Sequence, residues 1–194
     1  MGVLEGKVAV ITGSSKGLGL AIAQAYEREG AAVVLASRSS AALAEALERQ
    51  GARASWQVTD VGDLEQVKAL ADHAVKMFGK IDIWVNNAGY GGIYGPTATI
   101  DTQDFERVTR TNIFGEYYGS WVALQHFLVQ KTGGKLINLL GRGDITPAHC
   151  LTKNLPLSSS QNHLLSKCFP PLRQDHLFAY AHLQSARKLL SCVH

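Results

Sequence analysis

Short runs of aliphatic and β-branched residues alternate along this chain with longer stretches in which apolar residues recur every three or four positions. The run KVAVITG begins at residue 7, and in the stretch after it Leu18, Ile22 and Tyr26 share one helical face. Apolar runs of this length predict buried strands, and the periodic stretches predict helices that pack on them. The pattern therefore predicts a parallel β-sheet with helices on both faces.

The same rhythm continues through the first three quarters of the chain. Further strands are predicted in AAVVLAS, ASWQVTD, KIDIWVNNAG and GKLINLL, with helices between them and a long helical stretch from Asp101 to about Gln130. Asp63 and Gln66 predict a capping box at the start of one helix, and Gly79 predicts its end. About five parallel strands are expected.

The composition changes abruptly after Gly143. All 19 glycines lie at or before this residue and no glutamate follows Glu116, whereas all three cysteines lie after it. We therefore expect residues 1–143 to form the domain and residues 144–194 to be a divergent, irregular tail that is not a second domain. A frameshift, an alternative exon or a truncated product would each give such a join.

Charge and composition exclude several classes of protein. The net charge is +3, but residues 1–143 contain equal numbers of basic and acidic residues, so a basic face for nucleic acid is not expected. No window approaches the apolar length of a membrane span, the N-terminus resembles neither a signal nor a transit peptide, and the cysteines and histidines lack metal-ligand spacing. We expect a cytoplasmic protein that binds no metal, nucleic acid or membrane.

The loop after the first predicted strand, TGSSKGLG, has glycine at three positions. Gly13 allows a tight turn, Gly17 lets the backbone approach a pyrophosphate, and Gly19 allows the next helix to pack closely on the strand. The N-terminus of that helix adds free N–H groups and the positive end of its dipole. Between a strand and a helix, this spacing predicts a phosphate-binding loop.

Two motifs together resemble the short-chain dehydrogenase/reductase family. The loop that begins at Thr12 is followed, after the fourth strand, by the run Asn86–Gly89, and Asn112 matches the helical asparagine of the family. The resemblance covers about residues 7–143. It implies a Rossmann-like domain that binds a nicotinamide cofactor and transfers hydride to or from a small carbonyl or alcohol substrate. It also implies a homo-oligomer where the family's C-terminal helices are present.

The resemblance assigns cofactor-binding roles to three groups of residues. Those in the glycine loop are Gly13, Ser15, Lys16, Gly17, Leu18 and Gly19. Those that match positions beside the adenine are Asp60 and Val61. Those that match the stretch along the ribose and nicotinamide are Asn87, Ala88 and Gly89.

The charges near the second strand indicate which cofactor is bound. NAD selection usually needs an acidic residue at the end of this strand, but the chain has Arg38 there, between two serines. Arg38 and Lys16 can together bind a 2′-phosphate, which a carboxylate would repel. We therefore expect NADP.

The family's catalytic set, as the resemblance implies it, is Ser, Tyr and Lys assisted by the helical Asn. The Lys follows the Tyr by four residues, and none of the six tyrosines here has Lys at that distance. The Ser is expected two or three residues after Asn138, where the chain has Leu140 and Gly141. Asn112 is the one position of the set that is kept.

The sequence therefore predicts an NADP-dependent oxidoreductase by resemblance that is inactive in this form. Two alternatives stay open. One is a non-catalytic dinucleotide-binding or regulatory module, and the other is a truncated or frameshifted product without function.

The composition break also predicts an unprotected sheet edge. Without the family's next strands, Leu136–Leu140 would be an apolar edge strand. The long helix would then expose an apolar patch made of Phe114, Tyr117, Trp121, Leu124 and Leu128.

Overall fold

The computed structural model describes residues 2–93, 95–130, 132–140 and 179–181, the last as backbone. The strands are β1 (Val8–Thr12), β2 (Ala32–Ser37), β3 (Ala54–Val58), β4 (Ile83–Asn86), β5 (Lys135–Leu139) and β6 (Ala179–Ala181). The helices are α1 (Gly17–Arg28), α2 (Ser40–Glu48), α3 (Leu64–Phe78), α4 (Thr102–Thr109) and α5 (Gly115–Val129). A 3₁₀ turn (Thr97–Thr99) precedes α4, and a π-helical turn (Arg110–Phe114) joins α4 to α5.

The strands form one sheet in the order β3-β2-β1-β4-β5-β6, and each described neighbour pair is parallel. The chain runs outward from β1 to β2 and β3, then returns to the other side of β1 to form β4 and β5. The direction in which successive strands are added to the sheet therefore reverses between β1 and β4. In open parallel sheets, ligands bind at the carboxyl ends of the strands at such a switch point.

Both faces of the sheet are buried, as the continuous apolar runs predict. On β1, Ala9 and Ile11 pack with residues of α1 and α2 such as Ile22, whereas Val10 packs with residues of α3 and α5 such as Leu70. Because alternate residues of a strand point to opposite faces, a strand covered on both sides is apolar at nearly every position. The predicted fold class, a Rossmann-like parallel sheet flanked by helices, is confirmed.

The predicted limits of α3 are also confirmed. Asp63 Oδ1 accepts hydrogen bonds from the N–H groups of Glu65 and Gln66, at 2.9 and 3.3 Å. The Gln66 side chain returns to the backbone N–H of Asp60, at 2.8 Å, rather than to that of Asp63. Gly79 ends the helix in the left-handed conformation, with a φ of 81°.

The long helical stretch forms as predicted, but it is not one regular α-helix. The π-helical turn Arg110–Phe114 interrupts it, and Asn112 lies within this turn. An inserted π-helical turn changes the direction in which the following side chains point, and such turns are frequent at functional sites. Nothing in the apolar periodicity indicated this turn.

The expectation that β5 lies at the sheet edge is wrong. The short strand β6 pairs with it in parallel and places Ile137, Asn138 and Leu139 opposite Ala179, Tyr180 and Ala181. Three residues are too few to show an alternating pattern, so this strand could not be recognised in a segment that we expected to be irregular. The rest of the predicted tail, 144–178 and 182–194, lies outside the described residues.

The expected apolar patch on the long helix is only partly formed. Phe114, Tyr117 and Leu128 are exposed, the last at 54%. Leu124, in contrast, is only 8% exposed, and Trp121 packs at the edge of the core between α3 and α5. These two residues face the neighbouring helix, which already covers that side of α5. No helix in the described part of the chain is long and apolar enough to cross a membrane.

Candidate functional site

The glycine loop lies at the switch point between β1 and β4. Gly13 has a φ of 66°, and a Cβ atom built on it would lie 2.7 Å from the Cα of Ala88. Both the backbone conformation and this close approach require glycine. The loop therefore lies directly against the chain that leaves β4, as a site at the carboxyl ends of these strands requires.

The outer side of the loop is open where a phosphate would approach. Gly17 is exposed and has a φ of 59°, and a Cβ atom built on it would have no atom within 4 Å. Lys16 occupies the N-cap position of α1, and its side chain does not cap the first turn. Leu18 and the buried Gly19 belong to that turn. Free N–H groups beside open space suit an anion such as a phosphate group.

Three neutral polar residues, Thr12, Ser14 and the partly buried Asn87, join the glycine loop to the ends of its two neighbouring strands, and we call this set the seam. Thr12 Oγ1 accepts hydrogen bonds from the N–H groups of Asn87 and Ala88, at 3.0 and 3.1 Å. The Asn87 side chain donates to the carbonyl oxygens of Thr12 and Gly13, at 2.9 and 3.2 Å. The last residue of the seam is Ser14. The seam holds the loop and the chain after β4 together.

Ser14 connects the loop to β2, and the sequence analysis missed it. Its hydroxyl donates to the carbonyl oxygen of Ile11 at 2.7 Å and accepts from the N–H of Ala36 at 2.9 Å. Its own N–H donates to the carbonyl of Ala36 at 3.1 Å. A small polar residue next to the turn glycine was the available signal. Because of these bonds, the glycine loop lies beside the end of β2, two residues before Arg38.

The two predicted cations lie at this end of the sheet. Lys16 and Arg38 are both exposed, and neither has an ion-pair partner among the residues that the structure describes. Ser39 caps α2 through its hydroxyl, which accepts from the N–H of Ala42 at 3.2 Å. Neighbouring serines thus stabilise the turn, and the guanidinium of Arg38 stays available to a ligand.

A cavity of about 310 Å³ adjoins Arg38 and Asp60. Three arginines and three acidic residues are among its lining residues, which are Arg38, Asp60, Gly62, Asp63, Gln66, Gln103, Glu106, Arg107, Arg110 and Thr111. Sequence reasoning missed the contribution from α4 and the π-helical turn. Glu106 accepts from Arg110 Nε at 2.9 Å, and this bond raises the pKa of the arginine. The cavity is therefore polar, with charges of both signs.

The two residues expected beside an adenine have different surroundings. Asp60 Oδ1 accepts a hydrogen bond from the N–H of Gly62 at 2.9 Å, which stabilises the turn after β3. Val61 is buried in the core, and a Cβ atom on Gly115 would approach its Cγ2 to 2.6 Å. Asp60 lines the cavity, whereas the side chain of Val61 packs against Gly115 at the start of α5.

Asn112 and Asp104 hold the loop that follows Gly89, and we call these two residues, with Tyr90 and Ile93, the clasp. Asn112 Oδ1 accepts from the N–H of Tyr90 at 2.8 Å, and its Nδ2 donates to the carbonyl oxygen of Tyr90 at 2.9 Å. Asp104 accepts from Tyr90 Oη at 2.8 Å and from the Ile93 N–H at 2.6 Å. Asp104 was not predicted, although a buried acid in the first turn of a helix is unusual.

A second polar cluster lies deeper between β4, β5 and α5. Asn86 Nδ2 donates to Asn138 Oδ1 at 2.9 Å and to Ser120 Oγ at 3.1 Å, and Asn86 Oδ1 accepts from Trp84 Nε1 at 2.8 Å. Asn138 is thus a buried structural residue. Gly141, one of the two positions where a catalytic serine was expected, lies outside the described residues. In the described ranges, no group of three or more His, Cys, Asp or Glu side chains is arranged to hold a metal ion.

Glu116 lies one helical turn after Asn112 and has an unusual environment. Burial raises the pKa of its carboxyl group to about 7. Its Oε1 atom is buried and has no hydrogen-bond partner in the described part of the chain. The carboxyl group therefore holds its proton more readily than an ordinary glutamate does.

Comparison with known sequences gives consistent matches. A family model described as short chain dehydrogenase matches residues 7–142. The chain is 40% identical over 148 residues to 3beta-hydroxysteroid dehydrogenase 1 of Eggerthella lenta, covering 74% of this chain and 56% of the relative. It is 38% identical over 139 residues to the uncharacterized oxidoreductase YxnA of Bacillus subtilis, covering 70% of this chain and 39% of the relative.

Solved structures share the fold. A 3-ketoacyl-(acyl-carrier-protein) reductase from Brucella melitensis complexed with NADH matches with a TM-score of 0.68 and 31% identity, covering 71% of this chain and 58% of the other. An NAD+-bound xylitol dehydrogenase matches with a TM-score of 0.67 and 32% identity, covering 72% and 54%. The chain spans about half the length of most of the curated relatives that it matches. By its sequence and its fold, this chain belongs to the short-chain dehydrogenase family.

Proposed function

We propose that residues 1–143 form an NADP(H)-binding domain of the short-chain dehydrogenase type and that this chain does not itself turn over a substrate. The observation that carries the proposal is the position of the open glycine loop. Ser14 joins it to the end of β2, so that Lys16 and Arg38, both free of ion pairs with described residues, lie at the same end of the sheet.

Described residues are assigned in this proposal to each part of the dinucleotide. The loop residues Gly13, Ser15, Lys16, Gly17, Leu18 and Gly19 would surround the pyrophosphate. Asp60 and the backbone of Val61 would lie beside the adenine, and Asn87, Ala88 and Gly89 beside the ribose and nicotinamide. The nicotinamide would supply hydride chemistry toward a small carbonyl or alcohol substrate.

Charge at the end of β2 favours NADP(H) over NAD(H). A 2′-phosphate adds negative charge at the position where Arg38 ends β2, and an arginine binds phosphate through charge-assisted hydrogen bonds. The two cofactor-bound neighbours hold NADH and NAD+, so the proposed preference rests on Lys16 and Arg38 of this chain. A cytoplasmic location and a homo-oligomeric assembly stay predictions.

The proposed lack of turnover rests on the sequence. A positioned general acid typically contributes about 10²–10⁴ in rate, and this chain has no lysine four residues after any tyrosine. Asn112, the one residue of the expected set that is present, has its side-chain amide bonded to the backbone of Tyr90. That arrangement positions the loop and provides no proton donor to a substrate.

Cofactor titration tests the preference. Tryptophan fluorescence of the full chain should show NADPH binding tighter than NADH by about tenfold or more, because each charge-assisted bond contributes about 1.5–3 kcal/mol. Arg38→Asp should invert this order. Arg28→Asp makes an equal change of charge on an exposed arginine at the other end of α1 and should leave the order of the two affinities unchanged. Equal affinity of the wild-type chain for both cofactors would contradict the proposal.

Turnover is tested separately, with NADPH and a panel of ketones and aldehydes. We expect no substrate-dependent decrease in NADPH absorbance at saturating cofactor. A decrease that survives purification and that Asn112→Ala abolishes would show that this chain contains a proton donor, and the proposed inactivity would be wrong.

A further inference from the structure

We propose that Asp104 is a positioning residue, which holds the loop Tyr90–Ile93 on α4 and thereby fixes the stretch Asn87–Gly89. The inference rests on the proposed function in one respect, which is that this stretch lies beside the nicotinamide half of the cofactor.

Asp104 holds the loop at both of its ends. One carboxylate oxygen accepts from the Tyr90 hydroxyl at 2.8 Å, and the other accepts from the backbone N–H of Ile93 at 2.6 Å. The side chain is only 6% exposed. If the loop moved away from α4, the carboxylate would lose both partners while still partly enclosed by protein, which is unfavourable.

Other residues on the same side of α4 support this contact. The guanidinium of Arg107 lies 5.6 Å from the centre of the Tyr90 ring, and Val108 lies against Gly92. A Cβ atom on Gly92, whose φ is 69°, would approach Val108 Cγ2 to 2.6 Å and Asp104 Oδ2 to 3.0 Å. Residues three and four apart share a helix face, so one face of α4 is fitted to this loop.

The stretch Asn87–Gly89 is thus held from two directions. At its start, Asn87 and Ala88 are bonded to Thr12 through the seam. At its end, Tyr90 is held by the clasp, while Gly89 between them is exposed. Release of the clasp would free the end nearer to a nicotinamide without breaking the sheet.

The charge of Asp104 is part of the arrangement. The hydrogen bonds from Ile93 and Tyr90 lower the pKa of its carboxyl group, so it accepts from both donors as a carboxylate. An asparagine has almost the same shape, but one of its two terminal groups is an NH₂ donor. In Asp104→Asn, the amide oxygen can accept from only one of the two loop donors, and the charge-assisted character of both hydrogen bonds is lost at little change in volume.

The experiment compares two ligands on the full chain. NADPH spans both halves of the site, whereas adenosine 2′,5′-bisphosphate occupies only the adenosine half. Asp104→Asn should weaken NADPH binding about tenfold and change bisphosphate binding by less than about twofold. Tyr90→Phe removes one of the two bonds to Asp104 and keeps the ring, so it should show the same selectivity with a smaller effect, about threefold.

A matched control separates positioning from general damage to α4. Asp101 caps this helix by accepting from the N–H of Gln103 at 2.9 Å, and its side chain makes no hydrogen bond to the described residues of the loop. Asp101→Ala should lower the melting temperature but leave both affinities unchanged. Hydrogen exchange of the Ile93 amide, measured without ligand, should be faster in Asp104→Asn than in the wild type or in Asp101→Ala.

Each outcome decides the proposal. Equal weakening of both ligands in Asp104→Asn and Tyr90→Phe, or no weakening of either, overturns the positioning role. If the wild-type chain binds neither ligand, the proposed function fails. In that case, unchanged hydrogen exchange of the Ile93 amide in Asp104→Asn also contradicts the proposal that Asp104 holds the loop, whereas faster exchange supports it.

Discussion

The seam and the clasp hold the two ends of the same stretch of chain, but they do so with different chemistry. The seam consists of neutral groups; Thr12 and Ser14 are at most 1% exposed, and Asn87 is partly buried. The clasp is centred on the charged Asp104 and holds a loop whose Ile93 is 61% exposed. A buried neutral network is part of the folded core, whereas a carboxylate at its rim organises one loop. We therefore expect substitutions in the seam to lower the free energy of unfolding, and substitutions in the clasp to alter the position of the loop Tyr90–Ile93.

The largest expected effect is that of Thr12→Val. Valine has the same shape but no acceptor, so the N–H groups of Asn87 and Ala88 would both lose their partner. Leaving a buried donor unsatisfied costs about 1–3 kcal/mol. The free energy of unfolding should fall by about 4 kcal/mol, measured by urea denaturation with an unchanged slope.

Thr12→Ser is the matched control because it keeps the hydroxyl and removes only a methyl group. It should cost about 1 kcal/mol. If Thr12→Val were no worse than Thr12→Ser, the hydrogen bonds of the seam would not be what stabilises this region, and the contrast with the clasp would fail.

A second prediction concerns Glu116, which lies one helical turn after Asn112 of the clasp. Its backbone carbonyl accepts from Asn86 Nδ2 at 3.2 Å, and burial raises the pKa of its side chain from 4.5 to about 7. A raised pKa in the folded state means that stability is fully present below pH 4.5 and is lost as the pH rises to about 7. The loss should be at most about 3 kcal/mol.

Denaturation of the wild type and of Glu116→Gln between pH 4.5 and 8 measures this effect. The variant should remove most of the fall in stability, because an amide does not ionise. Glu65→Gln, at an exposed glutamate of α3, should leave the fall unchanged. A wild-type chain that is equally stable across this range would show that the Glu116 carboxyl group is solvated in solution.

The fold was predictable because its signals are local. The five apolar runs became β1 to β5, and Asp63 and Gly79 mark the limits of α3. A strand buried on both faces and a helix end each need particular residue types, and these residues lie close together in sequence. The π-helical turn around Asn112 and the strand β6 were not predictable. A π-helical turn changes the backbone without changing the apolar period by a recognisable amount, and β6 is too short to carry a pattern.

The candidate site was predictable to a lesser extent, for a related reason. The sequence indicated Gly13 and Asn87 through their motifs, but it could not indicate that Ser14 bonds to Ala36 or that Asp104 bonds to Ile93. These partners are separated in sequence and meet only after the sheet forms. Serine and aspartate side chains are common at protein surfaces, where most have no specific partner. Only the folded structure shows that Ser14 and Asp104 are buried and bonded to particular backbone groups.

The smallest expected effect comes from a neutral pair outside the site, and its sign is opposite to that of Glu116. Ser55 Oγ on β3 lies 2.7 Å from His73 Nε2 on α3, and burial, with a smaller contribution from Lys76, lowers the pKa of His73 below 6.5. A lowered pKa favours the neutral ring in the folded state, so this stability is present above pH 6.5 and is lost as the pH falls through the folded value. The ring is partly exposed, so the loss should be below about 1 kcal/mol.

In the wild type, the larger and opposite pH dependence of Glu116 masks this effect. In Glu116→Gln, the free energy of unfolding should therefore fall slightly as the pH is lowered from 7 to 5. Adding His73→Gln should flatten that dependence. If the double variant retained the fall, its source would be a group other than this histidine.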